Sequence, residues 1–301
     1  MRCLCIGICQ LIAITKILKQ NDIFTSVYTD IICYAVFNLS VEEMQNILDN
    51  VVPTCDLILS QPVSNTYKET NIYSTATLRS KIRKGATHLI IPNCYFTGYD
   101  PIPFQTTDVN NNVIDCDGIS YYPSVCLNSL LNNDIKKACI DWCNVDYYSD
   151  TEIKNNFNKT IIELKIREEK VFDNNFGVDI IISDFIEKNY KDKLLFHAYN
   201  HPTNELLIEL TKRIMNKLGI PINKLHNIDK ELLGDVSIPP CLSVYIKSGF
   251  TFKYNTFSIF GNTYTTCEAM KCLQLALKKF PPNLHEQWKS CIAYGRLKLN
   301  N

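Results

Sequence analysis

Four short apolar runs punctuate the first 92 residues, and their alternation with helical stretches constrains the fold more than any other feature of the chain. The runs cover residues 2–6, 31–37, 56–60 and 87–92. Each is continuously apolar rather than alternating, as strands buried on both faces of a parallel sheet must be. Residues 9–18 read as a helix, and Ser40-Val41-Glu42-Glu43 as a capping box opening a second that runs to about residue 49. Residues 75–84 form a third, closed by Gly85. The order β-α-β-α-β-α-β predicts an α/β fold, a mostly parallel sheet flanked by helices in three layers. In such sheets the working residues lie just beyond the carboxyl ends of the strands.

Three of those ends carry polar or unusual residues: Gly7-Ile8-Cys9-Gln10, Ser60-Gln61-Pro62, and Pro92-Asn93-Cys94-Tyr95-Phe96-Thr97-Gly98-Tyr99-Asp100-Pro101. The topology predicts that they converge on one crevice. Gly7 is expected to make the strand-to-helix turn with a positive φ. Cys9 then falls in the first turn of a helix, where unpaired N–H groups favour an anion, so a nucleophilic thiol of lowered pKa is expected. The other reading of Cys9 is a buried small hydrophobe. Gln61, Asn93 and the backbone N–H of Cys9 or Gln10 suit the oxyanion of an acyl-transfer intermediate. Tyr67, Tyr95, Phe96 and Tyr99 suit an aromatic wall for a cofactor or sugar. Alternatively the two amides merely end strands and the aromatics are core.

Beyond residue 104 the alternation stops. Residues 122–131 and 134–142 read as helices, followed by 152–172, so 104–172 is expected to be a helical insertion or lid within a single α/β domain spanning 1–301. A helix is expected over 179–189, and the sheet is expected to resume at 194–196. An amphipathic helix then covers 205–218, with Leu206, Leu207, Leu210, Ile214 and Leu218 on one face, Pro202 at its start and Gly219 at its end. The remainder shows one further helix, 265–279.

The net charge is zero, and the one basic cluster, Arg79-Ser80-Lys81-Ile82-Arg83-Lys84, is too short for a nucleic-acid arm. The 14 cysteines are spread along the chain with no C-x-x-C, which argues for reduced thiols rather than a disulfide framework. Cys3, Cys5 and Cys9 lack metal-ligand spacing. Lys16 and Lys19 close the N-terminal apolar stretch without a cleavage site, and no run approaches the ~20 apolar residues of a membrane span. A cytoplasmic protein is expected.

His201, at a strand end before Pro202, has the position of a general base toward Cys9. His197 lies four residues earlier, but Asn200 and Pro202 argue for a loop rather than the continuous helix a two-histidine metal pair needs. Capping the following helix is the plainer role for His201.

Taken in order, these segments resemble the WcbI-type polysaccharide-biosynthesis acetyltransferases. That family carries an N-terminal Gly-Asn-Cys-Gln, a Gln-Pro-Val, a Pro-Asn…Phe-x-Gly-Tyr-x-Pro and a late Asn-His-Pro. Here they stand as Gly7-Ile8-Cys9-Gln10, Gln61-Pro62-Val63, the stretch from Pro92 to Pro101, and Asn200-His201-Pro202, all within residues 1 to about 220. The resemblance implies an SGNH- or flavodoxin-like protein that binds coenzyme A or acetyl-CoA, acetylates a sugar or glycan hydroxyl and needs no metal. Read with it, Cys9, His201, Gln61 and Asn93 are the catalytic residues. Gly7, Gln10, Tyr67, Arg79, Tyr95, Phe96, Tyr99 and Asn200 are then the cofactor contacts. Two positions depart from the pattern. Ile8 replaces the family's Asn, and Ala198 stands where SGNH hydrolases place an Asp, so His201 needs another partner, a backbone carbonyl or Asp192. The same residues would serve a thiol-dependent esterase or deacetylase with water as acceptor, or a sugar- or nucleotide-binding protein that has lost the chemistry.

Overall fold

The computed structural model describes residues 1–110, 112–172, 174, 176–222, 228–253 and 256–299. The strands are β1 (Arg2–Gly7), β2 (Asp30–Ala35), β3 (Leu57–Ser60), β4 (Thr87–Ile90), β5 (Phe104–Gln105), β6 (Tyr121–Tyr122), β7 (Phe196–Ala198), β8 (His201–Pro202), β9 (Val236–Ser237), β10 (Phe257–Ile259) and β11 (Asn262–Tyr264). The α-helices begin with α1 (Cys9–Leu18), α2 (Asp22–Val27), α3 (Val41–Asn46), α4 (Thr75–Ser80), α5 (Ser124–Leu131) and α6 (Ile135–Trp142). They continue with α7 (Asp150–Glu169), α8 (Ser183–Asn189), α9 (Asn204–Lys217), α10 (Leu242–Lys247), α11 (Thr266–Leu277) and α12 (Pro282–Leu299). None of the described helices is long and apolar enough to cross a membrane.

The chain forms two compact units. The first comprises Met1–Cys94, Glu163–Glu187 and Pro202–Leu233. Its centre is a four-stranded, wholly parallel sheet in the order β2-β1-β3-β4. In register, Cys5 pairs with Cys33 on one side and Leu59 on the other, and Ser60 pairs with Ile90. Because side chains alternate across a strand, β1 sends Leu4 and Ile6 into a core shared with Val36, Met44, Leu48 and Leu78, while Cys3 and Cys5 face the opposite layer. That layer is α1 packed beside α9, whose Leu207, Leu210 and Ile214 are fully buried. Each such side chain contributes about 1.5–3 kcal/mol of burial. The exposed edge of β4 is covered rather than left open. Ile90 N–H donates to Asp179 Oδ2 at 2.7 Å, and Asp179 N–H donates back to Ile90 O at 2.8 Å.

The second unit comprises Tyr95–Ile162, Lys188–His201 and Gly234–Asn301. Helices α5, α6 and α11 pack on one another, with α12 against α5. Strands β5 and β6 form one small antiparallel pair, and β9, β10 and β11 a second small sheet. Its core is aromatic. Phe96 stacks on Phe196 at 5.4 Å and meets Tyr99 edge-on at 5.0 Å, and the buried Trp288 donates its indole N–H to Thr107 O at 3.0 Å.

The α/β reading and the parallel sheet stand, as do the helix at residues 9–18 and the Ser40 capping box. Three expectations need correcting. Residues 194–196 do not rejoin the parallel sheet: β7 makes a two-stranded pair with β8, where the chain returns to the first unit. Pro202 lies in β8, and Thr203 takes the N-cap position of α9 without a side-chain capping bond. The helix at residue 75 ends at Ser80, five residues before Gly85. The last third also holds more order than its sequence announced, in α10, α12 and β9–β11.

Candidate functional site

In the first unit, β1 ends at Gly7, and the extended Ile8 delivers Cys9 as the first residue of α1 without any side-chain cap of its own. A helix start leaves backbone N–H groups unpaired. Gln61, arriving from the end of β3, supplies the missing acceptor. Its Oε1 takes the N–H of Ile8 at 3.0 Å and of Leu11 at 3.2 Å, the job usually done by a local N-cap. Its Nε2 lies 3.3 Å from both Gln10 Oε1 and Pro92 O. Gln10 in turn grips the backbone of Cys94, donating from Nε2 to its carbonyl at 2.8 Å and accepting its N–H at 2.9 Å. Asn93 Nδ2 donates to Pro62 O at 2.9 Å. The three strand ends therefore converge, laced together by two buried glutamines.

This lacing changes several assignments. Gln61 is 2% exposed with its amide protons directed at Gln10 and Pro92, so it frames the site and does not serve as an oxyanion donor. Gln10 is equally buried, and its side chain is spent on Cys94. Gly7 does not take a positive φ. It is needed because a Cβ there would stand 2.7 Å from Gln61 Oε1 and 3.0 Å from Leu11 Cδ2. Asn93 keeps a buried Oδ1 with no hydrogen-bond partner. With its amide oriented by Pro62 O, it offers an acceptor, suited to a ligand O–H or N–H rather than to an oxyanion.

Cys9 sits in the first turn of α1, as its sequence position requires. Its thiol is nonetheless pushed above its ordinary pKa by burial, and hydrogen bonds from the N–H groups of Gln10 and Cys9 only partly offset this. The expected low-pKa thiolate is thus replaced by a protonated thiol at neutral pH.

Tyr67 and Arg79 lie elsewhere in this unit. Tyr67 meets Tyr73 edge-on at 5.6 Å and packs against the core beneath α3 and α4. The Arg79 guanidinium stacks 4.6 Å over Phe176 and lines a surface cavity of about 260 Å³ with Ile82, His88 and Asp179. His88 Nε2 is 2.8 Å from Ser60 Oγ, and burial pulls its pKa down to about 4, so this ring is neutral in the physiological range.

The second unit carries the other residues. His201 Nε2 is 3.1 Å from Tyr121 Oη, and the Tyr121 ring meets the imidazole at 4.8 Å. The proposed alternative partner, Asp192, accepts the Thr251 hydroxyl. Asn200 lies in the turn between β7 and β8. Tyr95 stacks on Tyr199 at 6.1 Å, and Tyr199 in turn meets Tyr121. His197 Nδ1 is 3.0 Å from Ser237 Oγ. Phe96 is 1% exposed and belongs to the core. Tyr99 does line an aromatic pocket, of about 30 Å³, with Asp100, Tyr121 and Tyr122, which is room for one or two waters. Its hydroxyl is shared between the carbonyls of Tyr190 and Lys193 and accepts the Leu195 N–H, so only its ring is available.

Sequence reasoning passed over Tyr121, His88 and Asp100. Asp100 stands inside a motif already marked. Burial raises its carboxyl to about 7, against the lowering pull of hydrogen bonds from Ile102 N–H and from the Ser124 hydroxyl and N–H. Nothing in the local sequence flags Tyr121, which reaches His201 only through the tertiary fold.

The family model for the polysaccharide biosynthesis enzyme WcbI matches residues 2–223, a span that includes all four motifs. No curated protein matches the chain in sequence. Among solved structures, one described as native WcbI, a novel polysaccharide biosynthesis enzyme, without a disulfide bond between coenzyme A and a cysteine, superposes with a TM-score of 0.79. It is 20% identical, and the match covers 99% of this chain and 96% of that one, a likeness of fold.

Proposed function

Because the chain belongs to the WcbI family of polysaccharide biosynthesis enzymes, we propose that it is a coenzyme A-dependent O-acetyltransferase acting in the cytoplasm on a sugar hydroxyl of a polysaccharide or glycan. The observation that carries this reading is the lacing of Gly7-Ile8-Cys9-Gln10, Gln61 and Asn93 at the carboxyl ends of β1, β3 and β4. A buried frame that fixes the first turn of α1 so closely makes sense if that turn handles a reacting group. The related WcbI structure, described as lacking a disulfide bond between coenzyme A and a cysteine, supports coenzyme A as the ligand.

In the proposed reaction a base removes the proton of the acceptor hydroxyl, and its oxygen attacks the thioester carbonyl. The coenzyme A thiolate then leaves and takes up a proton. The N–H groups of Cys9 and Gln10 hold the negative oxygen that forms in between. A thiol kept protonated by its surroundings favours this direct transfer over an acetylated Cys9. His201 is assigned as the base from motif order, with Tyr121 fixing its ring. Asn93 Oδ1 is assigned to a ligand O–H or N–H, Arg79 to a phosphate of coenzyme A, and Tyr67, Tyr95, Tyr99 and Asn200 to further ligand contacts.

A calorimetric titration with coenzyme A and acetyl-CoA tests the reading, together with acetyl transfer by Cys9→Ala and His201→Ala. Absence of binding by folded protein sinks it. Hydrolysis of acetyl esters without coenzyme A would install the esterase in its place. The raised Cys9 pKa and the apolar Ile8 favour one further reading, a ligand-binding protein without turnover; it predicts coenzyme A binding with no transfer to any acceptor. Residues 104–172 are proposed to close over the ligand within one domain, and slower proteolysis there on adding coenzyme A is the expected sign.

A further inference from the structure

Among the 14 cysteines, one pair stands out outside the strand-end site. Cys139 on α6 and Cys267 on α11 are 128 residues apart in sequence, yet their sulfurs lie 3.1 Å from each other at the surface of the second unit. We propose that Cys139 and Cys267 are a redox modification site, closing reversibly into a disulfide that clasps α6 to α11.

The geometry needs little change. A disulfide bond is about 2.05 Å long, so the sulfurs must close by roughly 1 Å, within the reach of a rotamer adjustment. The two helices already pack on one another, and α5 packs on both. Cys267 occupies the second position of α11, a turn locked by the Thr265–Glu268 capping box. Cys267 is exposed and Cys139 half-buried, so an oxidant meets Cys267 first. Lys271, one turn further along α11, places a cation near the pair and draws the Cys139 thiol down, against burial and the neighbouring sulfur, which together hold it near 12. Other close thiols lack these features. Cys3 and Cys5 are 3.9 Å apart but wholly buried on one strand. The described residues include no group of three metal-binding side chains, so the pair is not part of a cluster of ligands.

With a hydroperoxide as oxidant, the Cys267 thiolate attacks one peroxide oxygen. The O–O bond breaks, and the departing hydroxide takes up a proton to give water and a sulfenic acid. The Cys139 sulfur then attacks that sulfur, its thiol proton passing to the departing hydroxide. An S–S bond forms, the S–O bond breaks, and a second water leaves. Two thiols and one hydrogen peroxide become one disulfide and two waters.

The test exposes the full chain to hydrogen peroxide, blocks remaining thiols, and maps peptides without reduction. A linked peptide joining Cys139 to Cys267 is expected, lost again with dithiothreitol. Oxidation should also raise the thermal midpoint by about 5–10 °C, as closing so long a loop predicts. Cys267→Ser and Cys139→Ser should each abolish the shift, while Cys143→Ser and Cys291→Ser keep it. Cys267 linked instead to Cys143 or Cys272, or peroxide leaving Cys139 and Cys267 free to alkylate, overturns the proposal.

Discussion

Replacing Gln61 by Leu tests the central claim that this residue frames the strand ends rather than reacting. The substitution keeps much of the volume and removes four polar contacts: two accepted N–H groups at 3.0 and 3.2 Å, and two donations at 3.3 Å. They do not weigh equally. Leu11 N–H also reaches Ile8 O at 3.0 Å, and Gln10 Oε1 keeps the Cys94 N–H at 2.9 Å, so both retain a partner. Ile8 N–H is the donor left stranded. An unpaired buried donor costs about 1–3 kcal/mol, and the remaining weakened bonds about 1 kcal/mol more. The expected loss is thus about 2–4 kcal/mol, or roughly 4–16 °C in the thermal midpoint. Two compact units need not unfold together, so the loss should be read locally, from the rate at which Cys9 becomes open to alkylation in moderate urea. Alkylation should accelerate by at least tenfold. A variant within about 0.5 kcal/mol of the parent, as for an ordinary surface change, would show that Gln61 holds nothing together.

Other consequences are equally specific. Gly7→Ala should cost about 1–3 kcal/mol through its clash with Gln61 Oε1, and combining it with Gln61→Ala should cost less than the sum; strict additivity in that cycle would remove the steric explanation. Alkylation of Cys9 by iodoacetamide should rise only above the ordinary thiol range, because burial holds the thiol above its ordinary pKa; rapid modification at pH 7 would contradict this. Asp100 has a folded pKa of about 7 against 3.8, so the unfolded chain ionises first and stability falls as pH rises between those values. Asp100→Asn should flatten that slope, and an unchanged pH–stability curve would refute the assignment. His88, with a folded pKa of about 4 against 6.5, acts in the other direction, withdrawing stability as pH falls through that window; an NMR titration of its ring near pH 6.5 would show that burial does not control it.

The first unit was the legible half of the fold because its signals are local. Apolar runs, a Ser-x-x-Glu box and a strand-turn-helix start are each set by neighbours in sequence, and the structure keeps all of them, although only β1 and β3 are buried on both faces while the edge strands β2 and β4 are partly exposed. The second unit draws on three separated stretches of chain, and its core is a set of aromatic contacts between them, as with Phe96 on Phe196. Short strands of two or three residues, such as β5 and β9, carry no periodicity to read. The mistaken return to the parallel sheet at 194–196 has the same origin. Three apolar residues look alike whether they extend a sheet or turn back on themselves in a two-residue pair.

At the strand ends, the sequence foresaw which segments meet and misjudged which of their atoms are free. Three motifs at strand ends were sufficient to bring Cys9, Gln10, Gln61 and Asn93 into one neighbourhood, since topology alone places those ends together. Which face of an amide is free is a different question, decided by backbone groups that no motif names. Gln61 turns its oxygen to an uncapped helix and its nitrogen to a neighbouring strand, because Ile8 brings no capping side chain and so leaves α1 dependent on a distant acceptor. The substitution of Ile for the family's Asn at position 8 thus makes the burial of Gln61 more necessary. Gly7 follows from it, since only a residue without Cβ leaves room for that oxygen. Burial raises the Cys9 thiol above its ordinary pKa, while the N–H groups of Gln10 and Cys9 pull it down. The helix start first read as activating a nucleophile does act in that direction, and burial outweighs it.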